Sequence, residues 1–133
     1  MAVLTTLHLV IGIAFLVICG ALAIWAFVYW RRHAPLPDTY WRALRLPTGL
    51  LVLQILLGLF FLTRGLHPGD PLHLMYAGLA AAGVAAMEGL RPKGALGRMM
   101  RREDTFNEAG AYALIAAVVA LLAMRLWQTG PHA

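Results

Sequence analysis

The sequence has few charged residues and only one cysteine. Charged residues make up 13% of the chain and hydrophobic residues 61%, whereas soluble domains are usually about 45–50% apolar. The single cysteine, Cys19, excludes an intrachain disulfide and a cysteine-rich metal site. No nucleophile–base pair or phosphate-binding loop is recognisable, so we expect no independent catalytic activity. The excess of apolar side chains indicates contact with membrane lipid.

Acidic residues are scarce as well. The 11 Lys and Arg residues outnumber the 6 Asp and Glu residues, which gives a net charge of +5. Such a balance can indicate a nucleic-acid partner, but most of these cations lie in two stretches between apolar runs, residues 31–45 and 91–108. Cations placed in this way are typical of membrane topology signals. We therefore expect no nucleic-acid partner.

Four apolar runs are long enough to cross a membrane, since a transmembrane helix needs about 20 mostly apolar residues. They cover residues 4–30, 46–66, 71–90 and 109–127. The first run is too long for the core of a cleaved signal peptide, so we expect it to be retained. The sequence predicts an all-α integral membrane protein, an up-down four-helix bundle formed as a single domain by residues 1–133.

Local signals support these boundaries. Asp70 is predicted to cap the third run, with Pro71 at its first helical position. Thr105 and Glu108 have capping-box spacing ahead of the fourth run, and residues 38–45 are predicted to form a short interfacial helix. Aromatic residues near the ends of the runs are expected at the headgroup level. They are Trp25, Tyr29, Trp30, Tyr40, Trp41 and Trp127.

The two basic stretches set the predicted orientation. The positive-inside rule places residues 31–45 and 91–108 in the cytoplasm, whereas the short loop between the second and third runs carries only Arg64 at its edge. Both termini and that short loop then face outward. We therefore expect a multi-pass protein of the bacterial cytoplasmic (inner) membrane.

Two histidines lie near the outer ends of runs that cross the membrane in the same direction. His8 is near the start of the first run and His73 near the start of the third, so both imidazoles are predicted in one leaflet at similar depth. In an up-down bundle these two helices are diagonal, and the gap between them accommodates two imidazoles with an iron in between. We predict one haem b near the outer face, with His8 and His73 as metal ligands.

Four further residues complete the predicted cofactor site. Gly12 and Ala77 lie one turn after the two histidines and leave room for a flat macrocycle. Arg64 is predicted to pair with a haem propionate. Gln54, near the middle of the second run, is expected to face the interior and to hydrogen-bond across helices, as a packing element or as part of the site.

These residues resemble the family of haem A synthases, in which each four-helix half has a His-bearing helix, a Gln-x-x-Leu-Gly helix and a second His-bearing helix. The corresponding segments here are Leu7-His8-Leu9, Gln54-Ile55-Leu56-Leu57-Gly58 and His73. The resemblance implies the haem-holding geometry of such a half. Oxidation of a haem methyl group is not implied, because Thr5 and Leu9 stand where the family's Glu-x-x-His-Arg motif has Glu and Arg. The b-type cytochrome subunits of respiratory or photosynthetic complexes are an equally good comparison.

The predicted function is electron transfer, either by the chain alone or as the haem-bearing subunit of a complex with other membrane protein subunits. One alternative is a cofactor-free structural subunit whose small-residue faces dock on neighbouring helices. Another is a quinone or lipid pocket in which His8, His73 or Arg64 bonds a polar head.

Glu88, near Arg91, is interpreted as a solvated or paired residue at the inner end of the third run. The remaining histidines are expected in solvated loops or the tail, and they are His33, His67 and His132.

Overall fold

A computed structural model describes residues 2–66, 70–102 and 106–129. Within these ranges all regular structure is helical, which confirms the predicted all-α class. The helices are α1 (Ala2–Arg31), α2 (Asp38–Ala43), α3 (Arg45–Thr63), α4 (Leu72–Gly89), α5 (Ala95–Met100) and α6 (Glu108–Thr129). The helices α1, α3, α4 and α6 correspond to the four apolar runs. The helix α2 corresponds to the predicted short helix, whereas α5 was not predicted.

Three helical stretches of the described chain are long and apolar enough to cross a membrane. They are Ala2–Arg31, Asp38–Thr63 and Glu108–Thr129. The helix α4 covers the third predicted run but is not among them. It has 18 residues and is rich in alanine and glycine, and His73 and Glu88 near its two ends lower its hydropathy. Helices long and apolar enough to cross a membrane are therefore present as predicted, whereas a membrane crossing by α4 and the up-down four-helix bundle stay predictions.

One face of α1 is exposed along its whole length. Val3, Val10, Val17 and Ile24 recur every two helical turns and are 79%, 56%, 63% and 67% exposed. The other face is buried and comprises Ile11, Phe15, Cys19, Leu22 and Ala26. A continuous row of exposed aliphatic side chains is unfavourable in water, so this face indicates contact with membrane lipid.

The four long helices pack unequally. The helix α6 makes the most extensive contacts, with α1 and with α4, whereas α3 packs mainly against α1. The helices α3 and α4 contact each other only slightly. Because α1 and α4 are both held by α3 and α6, they lie across from each other, and the weak α3–α4 contact leaves space between the helices.

The buried core lies at the end of the molecule that contains α2 and α5, which we call the loop end. Tyr40 of α2 and Tyr112 of α6 are fully buried there. The Tyr40 hydroxyl donates a hydrogen bond to Leu22 O (3.2 Å), and the Tyr112 hydroxyl donates to Met87 O (2.6 Å). The Tyr40 ring therefore closes the core and α1 accepts from its hydroxyl, whereas its predicted level at the headgroups stays a prediction.

Glu88 is paired, as interpreted from the sequence. Arg91 Nε lies 2.7 Å from Glu88 Oε2, and the Thr48 hydroxyl of α3 donates to Glu88 Oε1 at 2.7 Å. The hydrogen bond between Thr48 and Glu88 joins α3 and α4 at the loop end.

The signals at the helix starts are confirmed in part. Asp70 Oδ1 accepts a hydrogen bond from Leu72 N–H (2.9 Å), although α4 begins at Leu72 and not at Pro71. Thr105, one half of the predicted capping box, lies outside the described residues. Asn107 caps α6, since its Oδ1 accepts from Gly110 N–H (3.0 Å).

Candidate functional site

A cavity of about 400 Å³ lies between α1, α3, α4 and α6 at the end of the molecule opposite the loop end. We call this end the histidine end. Aliphatic and aromatic side chains form most of the cavity wall, with a small number of polar groups. This combination is typical of small-molecule sites, which usually occupy about 300–1,000 Å³.

Five of the six predicted site residues line this cavity. His8 and Gly12 come from α1, Gln54 comes from α3, and His73 and Ala77 come from α4. Two helices that lie across from each other therefore contribute one histidine each to the same space. That these histidines are ligands stays a prediction.

His73 is held in place by the end of α6. Its Nδ1 lies 3.1 Å from the hydroxyl oxygen of Thr129, which is the last residue of α6 and is only 6% exposed. That hydroxyl donates to Arg125 O at 2.8 Å. Because a hydroxyl has a single hydrogen, Thr129 can donate to Arg125 O and accept from His73 at the same time only when the imidazole proton lies on Nδ1. The lone pair is then on Nε2.

His8 packs against an aromatic ring of α3. The centroids of the His8 and Phe61 rings are 5.4 Å apart, and their planes are inclined by 83°, an edge-to-face arrangement. Phe61 also lines the cavity. The contact restricts the rotation of the His8 imidazole at the cavity wall.

Gln54 and Gly12 form a close contact between α3 and α1. A Cβ atom on Gly12 would lie 3.0 Å from Gln54 Nε2, so Gly12 makes room for this amide. Gln54 Oε1 is buried, and no described residue donates a hydrogen bond to it. A buried carbonyl oxygen without a donor is unfavourable, so a ligand group that donates a hydrogen bond would be stabilised here.

Arg64, the sixth predicted residue, does not line the cavity. Its guanidinium carbon lies 5.2 Å from the centre of the Phe60 ring on an exposed part of the chain. Arg125 is a second cation at this end. It lies over the Tyr76 ring at 5.5 Å and donates to Gln128. Pairing of Arg64 with a propionate would require its side chain to turn toward the cavity.

Sequence reasoning missed three residues around the cavity. Phe61 and Trp127 line it, and Thr129 bonds His73. The contact of Thr129 with His73 could have been predicted from the sequence. Thr129 is a polar residue just after the fourth apolar run, and in an up-down bundle this position is level with the start of the third run. The sequence did not indicate that Phe61 and Trp127 line the cavity, since an aromatic ring near the end of an apolar run is equally consistent with the lipid interface.

Among the described residues, His8 and His73 are the imidazole donors that line the cavity. In the part of the chain that the structure describes, no three His, Cys, Asp or Glu side chains form a group that could hold a metal ion. Two imidazoles suit a metal whose other ligands come from a macrocycle, as in haem.

The loop end contains a second cavity, of about 340 Å³, lined in part by Trp30, His33, Asn107 and Glu108. Two of its polar side chains already have protein partners, because Asn107 caps α6 and Glu108 Oε1 lies 3.4 Å from Arg101 Nη2. His33 is exposed, as expected. His67 and His132 lie outside the described residues.

Fold and cavity together define an all-α protein with helices suited to a membrane and a small-molecule cavity that two histidines line. No protein-family model, curated protein or solved structure matches the chain. The resemblance to haem A synthases and b-type cytochrome subunits stays a prediction.

Proposed function

We propose that this chain is a b-type cytochrome-like membrane protein that holds one haem b through His8 and His73. Its role would be electron transfer, alone or as a subunit of a respiratory or photosynthetic complex. The observation that carries the proposal is that these two histidines, from helices that lie across from each other, line one cavity. Ligation by two histidines leaves iron without an open position, which favours an electron carrier over an oxygen-activating enzyme.

The cavity wall supports this choice of ligand. It is mainly apolar, like the faces of a porphyrin, and it contains small residues on two helices. Ala77 lies one turn after His73, and a Cβ atom on Gly58 of α3 would meet nothing within 4 Å. The haem would supply the redox chemistry, and the chain would supply His8 and His73 to hold it and a mainly apolar wall around it.

We further propose that α1, α3, α4 and α6 cross the bacterial cytoplasmic membrane as an up-down bundle. The loop end would face the cytoplasm, and both termini and the cavity would lie toward the outside. Exposed cations at the loop end support this orientation through the positive-inside rule. They are Arg31, Arg32, Arg42, Arg45, Lys93, Arg98 and Arg102.

An absorbance spectrum of the purified protein tests the haem proposal. Protein expressed with an adequate haem supply and reduced with dithionite should show a sharp α band. The band should be lost or strongly diminished in His8→Ala and in His73→Ala. His33→Ala is the matched control, because His33 is exposed and distant from the cavity, and it should retain the full band.

Two results would contradict the proposal. A colourless wild-type protein that is monodisperse and helical by circular dichroism would exclude haem. Full haem occupancy in both cavity variants would show that the ligands are wrong even if haem is bound.

Gln54 favours a second candidate function, the binding of a quinol or of another lipid with a hydroxyl head. A porphyrin has no hydrogen-bond donor to offer Gln54 Oε1, whereas a quinol hydroxyl has one. Organic extraction of the colourless protein and analysis of the extract would reveal a bound quinone, and Gln54→Leu should reduce its amount. A protein without haem or quinone would support the cofactor-free structural subunit.

A further inference from the structure

We propose that Thr129 is a positioning residue for His73, which fixes the imidazole proton on Nδ1 so that Nε2 binds the iron. This inference rests on the proposed haem function and adds a residue to the site that does not itself touch the cofactor. It starts from a contact between two residues 56 positions apart, at the end of α6 and in the first turn of α4.

The direction of the hydrogen bond follows from the surroundings of the Thr129 hydroxyl. Its oxygen lies 2.8 Å from Arg125 O and 3.4 Å from Leu126 O, the carbonyl groups of the preceding helical turn. Both are acceptors only, so the single hydroxyl hydrogen is directed toward them. The oxygen lone pairs then face His73 at 3.1 Å and accept from Nδ1–H.

The burial of Thr129 makes this contact selective for one tautomer. Water cannot easily replace the threonine, since its side chain is 6% exposed. The opposite tautomer would place the lone pair of Nδ1 against an oxygen that has no hydrogen to offer it, which is repulsive. The imidazole is therefore held with its Nδ1 proton facing α6, and Nε2 is its basic nitrogen.

An acceptor behind a ligating histidine has known consequences. It orients the ring and raises the basicity of the ligating nitrogen, and loss of such a partner typically lowers metal affinity about 10- to 100-fold. A more basic imidazole stabilises ferric over ferrous iron. Removal of the Thr129 hydroxyl should therefore weaken haem binding and make the reduction potential more positive.

The test compares Thr129→Val, which is nearly isosteric and has no hydroxyl, with Thr129→Ser, which keeps one. Thr63→Val is the matched control: Thr63 ends α3 as Thr129 ends α6, and its hydroxyl likewise bonds a backbone carbonyl, Phe60 O at 2.6 Å. In the holoprotein, Thr129→Val should lower haem affinity about 10- to 100-fold and shift the potential upward. Thr129→Ser and Thr63→Val should resemble the wild type.

Nitrogen NMR of histidine-labelled protein without haem reads the tautomer directly. The His73 proton should be on Nδ1 in the wild type and in Thr129→Ser, and this preference should be lost in Thr129→Val. A wild-type His73 protonated on Nε2, or a Thr129→Val variant with unchanged tautomer, haem affinity and potential, would overturn the inference. A colourless wild type whose His73 is nevertheless protonated on Nδ1 would instead contradict the haem function and leave the tautomer assignment standing.

Discussion

Individual polar groups distinguish the two ends of the molecule. At the loop end, the buried hydroxyls of Tyr40 and Tyr112 donate to backbone carbonyls within the protein. At the histidine end, Thr129 satisfies one nitrogen of His73, whereas Gln54 Oε1 is buried without a donor among the described residues. Satisfied polar groups are expected in a scaffold, and an acceptor kept without a protein donor is expected where a ligand or water binds.

Removal of the Tyr112 hydroxyl tests the scaffold role of the loop end. Tyr112→Phe should lower the free energy of unfolding by about 0.5–1.5 kcal/mol, because the bond of 2.6 Å to Met87 O is lost inside the core. Thermal unfolding in detergent, followed by circular dichroism, measures the effect. Tyr76→Phe is the control, since the Tyr76 hydroxyl lies 3.5 Å from an exposed Arg125, and it should unfold like the wild type. Equal stability of both variants would contradict the prediction.

Among the helices, α4 is held chiefly by its close approach to α6. A Cβ atom on Gly83 would lie 2.5 Å from Val119 Cγ2, and Val119 is fully buried. Gly78, on the same helix, would meet nothing within 4 Å. Close packing at small residues is the usual way in which helices associate in lipid. The close packing of Gly83 against Val119 explains how α4, a short alanine-rich helix with less apolar surface than its neighbours, is kept in place.

Substitution of these two glycines tests the α4–α6 contact. Gly83→Ala should destabilise the protein by about 1–3 kcal/mol, because the branched side chain of Val119 has little freedom to move away. Gly78→Ala should be neutral, or stabilising by up to about 1 kcal/mol, since alanine favours a helix more than glycine does. Midpoints of thermal unfolding for the two variants provide the comparison. A Gly83→Ala protein as stable as Gly78→Ala would show that α6 does not pack so closely on α4.

At the scale of the whole molecule, charge and burial are arranged along one axis. The exposed cations of the two loops lie at the loop end with the buried aromatic core, and the cavity lies at the other end. Exposed aliphatic side chains cover the helices between them. This arrangement suits a protein whose cytoplasmic end is anchored by cations and whose opposite end carries the site.

Thiol labelling tests the proposed orientation. The native Cys19 is fully buried, so it should not react with a membrane-impermeant maleimide. In spheroplasts, Arg64→Cys should be labelled directly, whereas Lys93→Cys should be labelled only after permeabilisation, because both positions are exposed but lie at opposite ends. The reverse pattern would place the cavity on the cytoplasmic side and leave both histidines at the same end.

Local sequence determined the helices and the level of the two histidines along them. Apolar runs, their basic flanks and signals such as Asp70 are readable because helix formation and lipid preference depend on near neighbours and composition. The positions of His8 and His73 near the starts of their runs follow from counting along the chain. The same reasoning did not predict the burial of Tyr40, since composition does not tell whether an aromatic residue near a helix end enters the core or the lipid interface.

Only the tertiary structure decided what surrounds these histidines. The contact of Thr129 with His73 and the place of Gln54 against Gly12 depend on how each helix is rotated and how closely its neighbours approach. In helices that are apolar all round, the hydrophobic pattern specifies rotation only weakly, because lipid and protein interior are both apolar. Contacts between residues far apart in sequence therefore set the rotation, and with it the groups that face the cavity.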